Sequence, residues 1–229
     1  MKKVPDFDND KIVMLCIDMQ NEYGAGGYEE WAAWHWNETA ENASKVLAAC
    51  REKKIPVVHV KVARDLEGIM CHPYDVRDKE GHAVYSVKDT WKGDFVDCMK
   101  PLPGEIVVEK QRFDAFYQTN LDLVLQGLGA EHLIMVGGFT DSCFLTSIYS
   151  AFTRGYTTSV IKDGTTAGSE GAHKASILTI ANWIYGGSIF TADEMVKAIN
   201  GQPYKAWFWE ESNTFPFTTE NIDELYDQI

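Results

Sequence analysis

The sequence predicts a doubly wound α/β fold, with a six-stranded, mainly parallel sheet and helices on both faces. Three observations lead there. Short runs of apolar, often β-branched residues alternate with stretches of helical character, the rhythm of βαβ units. The runs are almost continuously apolar, as expected for strands covered on both faces. Acidic, basic and thiol side chains stand just after several of them, where an open parallel sheet gathers its ligands.

The first predicted strand, 12–17, reads IVMLCI and ends at Asp18. A helix over 39–54 follows, rich in Ala, Glu and Lys. The second strand, 55–62, is β-branched, with Pro56 near its start. Segment 63–103 is long, charged and irregular, with a weak helical signal near 92–99. A loop of that size in a compact domain is expected to be a cover or a binding segment. The third strand, 105–109, follows Pro103-Gly104. A helix over 120–129 closes on Gly129. The fourth strand, 133–136, runs into Gly137-Gly138, and a helix over 141–154 stops before Gly155. Strand 157–161 precedes Asp163-Gly164. A helix over 171–185 stops at Gly186-Gly187, and strand 188–191 completes the set. The tail from 202 carries Trp207, Phe208, Trp209, Phe215 and Phe217, which are expected to pack on the body or on a neighbouring subunit. These strands fit one sheet, so residues 1–229 are read as a single domain.

Composition narrows the function. Apolar residues make up 45% of 229, ample for a core. A net charge of −13 repels phosphate backbones and argues against nucleic acid. No apolar run reaches the roughly 18–20 residues of a membrane span. The start lacks the apolar stretch of an export signal, and the five cysteines are odd in number, widely spaced and without a CxxC. Reduced thiols in a cytoplasmic chain are the expectation. The turn Ile17-Asp18-Met19-Gln20-Asn21-Glu22 lacks the glycines of a dinucleotide-binding strand end.

The residues just after the strands supply a carboxylate (Asp18), an ammonium (Lys110) and a thiol (Cys143). A thiol becomes a good nucleophile only as thiolate. Cys143 falls at the amino end of a predicted helix, where partial positive charge favours an anion. A nearby lysine favours it further. Asp18 is placed to take the thiol proton and return it to a leaving amine. Gly137-Gly138 gives room for a turn that aims backbone N–H groups at an oxyanion.

With these residues in view, the sequence resembles the isochorismatase-like cysteine hydrolases. Asp18-Met19-Gln20-Asn21-Glu22-Tyr23 is similar to the family's DMQNDF opening. Lys110-Gln111-Arg112-Phe113-Asp114-Ala115-Phe116, with Thr119 and Leu121, resembles its KxRxSAFxxTxL segment. Gly137-Gly138-Phe139-Thr140-Asp141-Ser142-Cys143 resembles its GxxTDxCV loop. Lys162-Asp163-Gly164, His173 and Thr191-Ala192-Asp193-Glu194 match weaker landmarks in order. The resemblance implies a catalytic triad of Asp18, Lys110 and Cys143. It also implies a cis peptide at Gly138–Phe139 and an oxyanion hole from the N–H groups of Phe139 and Cys143. The chemistry it implies is cleavage of a small amide, ureide or carbamoyl compound through a Cys thioester, by a homo-oligomer (dimer or tetramer).

Departures matter too. The nicotinamidase branch resembles a zinc-binding pattern, Asp-x-His with a further His, after the second strand. This chain has His59-Val60-Lys61-Val62-Ala63-Arg64-Asp65 there, and His72 and His82 lack partners at ligand spacing. No metal and no cofactor are expected. Phe144 stands where the family usually has Val, so it is read as an altered pocket wall. Bulky Phe139 beside the oxyanion donor suits a small or flat substrate. Tyr23, Trp31, Trp34, His35 and Trp36 crowd one stretch, read first as a core or interface patch and alternatively as a flat aromatic wall over the thiol with Tyr23 foremost. Gln20 is read as a polar group near the acid. Arg112 and Arg64 are read first as salt-bridge partners on the protein and alternatively as partners for a substrate carboxylate. The competing reading is an ether or ester hydrolase that uses Asp18 as general acid without a covalent step.

Overall fold

The computed structural model describes residues 7, 11–24, 27 and 33–229. Strand β1 (Ile12–Ile17) is buried at every position. Its side chains alternate between two cores, as strand geometry requires. Val13, Leu15 and Ile17 face one layer, and Ile12, Met14 and Cys16 the other. The second layer is roofed by α1 (Trp36–Glu52), which presents Ala43, Val46, Leu47 and Cys50.

The chain then lays β2 (Val57–Val62) and β3 (Ile106–Lys110) outward on one side of β1, all parallel. After α2 (Leu121–Gly127) it crosses back, and β4 (His132–Gly138) pairs with the other flank of β1. Helix α3 (Cys143–Thr153), β5 (Thr157–Thr166), α4 (Glu170–Trp183) and β6 (Ser188–Phe190) continue outward. The strand order reverses between β1 and β4, the point at which an open parallel sheet binds its ligands at the carboxyl ends of the strands.

The sheet has seven strands, not the expected six. The order is β3-β2-β1-β4-β5-β6-β7, and β7 (Trp207–Phe208) is antiparallel to β6. Two helices also lie beyond the expectation. These are α5 (Ala192–Ile199), capped by Thr191 Oγ1 accepting from the Glu194 N–H, and α6 (Ile222–Asp227). The aromatic tail folds back on its own body, with Phe215 buried in the first core and Phe217, Leu225 and Tyr226 packed against it. Strand β5 runs past Asp163-Gly164, with a register shift against β4 between Met135 and Gly137. That extension brings Thr165 and Thr166 level with Gly137 and Gly138.

Segment 63–103 is irregular. The weak helical signal there becomes a single 3₁₀ turn, Asp97–Met99. The segment is stitched to the loop after β1: the Asn21 N–H donates to Asp94 O at 2.9 Å and the Val96 N–H to Met19 O at 2.9 Å. It therefore closes over the end of β1.

Gly137 is required where β4 meets β1. Its φ is +122°, and a Cβ there would lie 1.9 Å from Ile17 O. Replacing it with Ala forces β1 and β4 apart there. Gly137→Ala is expected to cost more than about 3 kcal/mol and to lower Tm by several degrees or prevent soluble expression. Thermal unfolding beside wild type checks this.

Candidate active site

Asp18 leaves β1 in the left-handed region, at φ 52°. This turns its carboxylate inward, where it is 1% exposed. Lys110, the last residue of β3, is fully buried and reaches across the end of β2. Its Nζ lies 2.8 Å from Asp18 Oδ2. It also donates to Arg112 O and Phe113 O, each at 3.0 Å. The backbone after β3 thus wraps the ammonium that β3 delivers. The Cys143 side chain, at the start of α3, is buried close enough to Asp18 and Lys110 for the charge of each to act on it.

The electrostatics of this cluster follow from its charge count. Burial pulls the Lys110 pKa down, but the negative charges of Asp18 and Cys143 more than offset it, and the net direction is up. Burial lifts Asp18 against the pull of Lys110. Burial also lifts Cys143, to about 12, since Lys110 lowers it while Asp18 raises it. One ammonium supports one anion, and the second acid keeps its proton. Burial and Asp18 together outweigh the pull of Lys110 on the thiol.

The loop from β4 to α3 is tightly organised. The Gly138–Phe139 peptide is cis. The Phe139 carbonyl accepts from the N–H groups of Ser142 and Phe144, both at 3.0 Å, and the Cys143 N–H lies between those two at the helix start. Thr140, with no role assigned from sequence, anchors the loop. Its N–H donates to Thr166 O at 2.6 Å, and its Oγ1 contacts Thr165 Oγ1 at 3.0 Å and His173 Nδ1 at 2.9 Å. His173 Nε2 in turn meets the hydroxyl of Tyr226 at 3.1 Å. The C-terminal helix therefore buttresses the thiol loop.

Other expected site residues are distributed as follows. Tyr23 stands edge-on to Phe139, with centroids 4.9 Å apart, and to Trp36 at 5.7 Å. Trp31 lies outside the described residues. Gln20 is engaged by the backbone of the protein itself. It is fully buried, its Nε2 donates to Val62 O and Gly93 O at 3.0 Å, and its Oε1 accepts from the Val62 N–H at 2.9 Å. It fastens the end of β2 to the cover segment. Phe144 is not a pocket wall, because its ring is fully buried in the first core. One residue further along α3 turns the side chain about 100° away from that of Cys143. Arg112 donates to Met70 O at 2.8 Å and Gln111 O at 2.9 Å. With Arg64, His72, Phe113 and Tyr117 it lines a cleft of about 610 Å³. His59 bonds Glu105 at 2.9 Å. Among the described residues no cluster of three or more His, Cys, Asp or Glu is arranged to hold a metal.

Comparison with known proteins identifies the family. The isochorismatase domain model matches residues 13–194. The chain belongs to the isochorismatase family. Its relatives include the ureidoacrylate amidohydrolase RutB of Pantoea ananatis, 30% identical over 192 residues, covering 76% of this chain and 77% of that protein. Among solved structures, an isochorismatase family protein from Desulfovibrio vulgaris superposes with a TM-score of 0.74 at 24% identity, over 84% of this chain and all of that one. The N-carbamoylsarcosine amidase of Thermoplasma acidophilum gives 0.65 at 24% identity, over 80% and 97% of the two chains. These two likenesses concern the fold.

Within this isochorismatase-family chain the His173 buttress is pH-sensitive. Burial, then the charges of Lys162 and Lys174, lower its pKa from 6.5 to about 4. Between those values the unfolded chain binds a proton that the folded chain refuses. The stabilisation is complete above about pH 6.5 and falls as pH drops toward 4. His173→Gln is expected to lose roughly 3 kcal/mol less than wild type between pH 7 and pH 4. Urea midpoints across that range check it, and parallel acid limbs would contradict it.

Proposed function

We propose that this chain is a metal-independent cysteine amidohydrolase acting on a small amide, ureide or carbamoyl compound. The observation that carries the reading is the buried cluster of Asp18, Lys110 and Cys143, with Lys110 Nζ 2.8 Å from Asp18 Oδ2 and the charges of both acting on the thiol. The named activities of RutB and N-carbamoylsarcosine amidase support the substrate class.

In the proposed cycle the Asp18 carboxylate takes the Cys143 proton as sulfur attacks the substrate carbonyl carbon. The carbonyl oxygen becomes an oxyanion, received by the N–H groups of Phe139 and Cys143. Asp18, now protonated, gives that proton to the departing nitrogen, and the C–N bond breaks. A thioester remains and ammonia or an amine leaves. Water then attacks the thioester, Asp18 accepts its proton, and the returning sulfur is reprotonated. Lys110 keeps its charge throughout. The raised pKa of Asp18 suits a group that must both accept and return a proton.

The reading extends to a single hydrolase domain over residues 1–229, cytoplasmic and homo-oligomeric. Exposed apolar side chains such as Ile69, Tyr74, Phe113 and Tyr117 support an assembly contact. No helix among the described residues is long and apolar enough to cross a membrane.

Ammonia release from a panel of amides and ureides tests the chemistry. Cys143→Ala is expected to lower kcat by at least about a thousandfold with the fold intact, and a chelator to leave wild-type rates unchanged. Activity that survives Cys143→Ala would replace the thioester route by direct hydrolysis with Asp18 as acid.

A further inference from the structure

The cycle above does not use a buried carboxylate one residue before Tyr23. Glu22 is fully buried. Both its oxygens accept from one residue of the cover segment: the Ser86 N–H donates to Oε2 at 2.7 Å, and the Ser86 hydroxyl donates to Oε1. Ser86 is itself buried and sits at φ 53°. Its carbonyl accepts from the Arg64 N–H at 2.9 Å, which fixes its place beside β2. Ser86 Oγ also lies 3.2 Å from the Tyr23 hydroxyl.

Counting protons gives these bonds a direction. A serine hydroxyl has one proton, and here Glu22 holds it. Tyr23 must therefore be the donor to Ser86, and its only hydroxyl proton is committed as well. The phenol remains neutral: burial, then the charges of Glu22, Asp18 and Cys143, push its pKa well up. The ring lies against Phe139, beside the proposed oxyanion donor. With Ser86 Oγ as the acceptor of its proton at 3.2 Å, the Tyr23 oxygen keeps its lone pairs.

We infer that Glu22, Ser86 and Tyr23 form a one-way hydrogen-bond chain that makes the Tyr23 oxygen an acceptor toward the site, selecting substrates that offer an N–H beside the scissile carbonyl. This rests on the amidohydrolase reading and narrows it to amides and ureides that carry at least one N–H on the nitrogen to be released. An ester or carbamate oxygen at the same place would meet lone pairs with lone pairs, a repulsive element that discriminates without new contacts. The polarity of the chain is set at Glu22. A glutamine there keeps an oxygen for the Ser86 N–H but offers an N–H to Ser86 Oγ. The Ser86 proton then turns to Tyr23, and Tyr23 turns its own proton to the site.

Two flat probes test this: N-carbamoylglycine, with a terminal NH₂, and N-methoxycarbonylglycine, with an O-methyl group in its place. Calorimetric binding is measured on Cys143→Ala protein, so turnover does not interfere, and ammonia release from N-carbamoylglycine is measured on wild type. The Cys143→Ala protein is expected to prefer the carbamoyl probe by about three- to tenfold, the worth of one neutral hydrogen bond. Adding Tyr23→Phe brings the two affinities together, and adding Glu22→Gln moves the preference toward the methoxy probe. Ser86→Gly, which φ 53° accommodates, breaks the chain should Glu22→Gln fail to fold. A preference unchanged in all three variants overturns the inference, as does failure of the Cys143→Ala protein to bind either probe. Absence of wild-type ammonia release alongside the expected binding pattern counts against the proposed chemistry instead.

Discussion

The ion pair between Lys110 and Asp18 is the constraint around which the site is built. Two charges taken fully out of water cost several kcal/mol each, and their attraction offsets this only with good geometry and further hydrogen bonds. The chain supplies a close contact and, on the lysine side, the further hydrogen bonds. The 2.8 Å contact is direct, and the carbonyls of Arg112 and Phe113 take two of the ammonium's three protons. The pair also spans the sheet, tying the end of β3 to the end of β1 across β2. Gln20 holds the end of β2 between them. Thiol chemistry is then a matter of charge balance. With one cation present, the proposed cycle has Asp18 and Cys143 share one negative charge, with a proton moving between them rather than leaving the site.

The other parts of the fold hold that cluster closed. From one side, segment 63–103 is bonded to the loop after β1 and brings Ser86 to Glu22 and Tyr23. From the other, Thr140 links the thiol loop to β5 and, through His173, to Tyr226 on the last helix. Segments near both ends of the described chain therefore set the geometry of one loop, and the site is specified by packing from both faces of the sheet.

Much of this was legible in the sequence because it is local. The apolar run at 12–17 needs burial on both faces and becomes β1 unchanged. The strand-end positions of Asp18, Lys110 and Cys143 follow from the βαβ rhythm, and their motifs resemble a known family. What escaped depends on distant partners. Trp207–Phe208 is too short to read as a strand without β6 beside it. Helix α5 did carry a local signal, since Thr191-Ala192-Asp193-Glu194 has the spacing of a capping box, but only eight residues follow that cap. Gln20 and Phe144 sit next to functional positions in sequence, yet one closes a strand end and the other fills the core. Adjacency along a chain says little about where a side chain points. Ser86 carries no motif, and only its contact with Glu22 marks it.

The shared proton is the central claim, and the ionisation of Cys143 in wild type and Asp18→Asn reports it most directly. Thiolate absorbance near 240 nm and the rate of iodoacetamide alkylation of Cys143 are followed against pH in both proteins. Removing the competing carboxylate leaves Lys110 to support the thiolate alone. The account therefore predicts that Asp18→Asn shifts the Cys143 pKa downward and speeds alkylation at neutral pH, even as turnover is lost. A Cys143 pKa that is unchanged or higher in Asp18→Asn would contradict it.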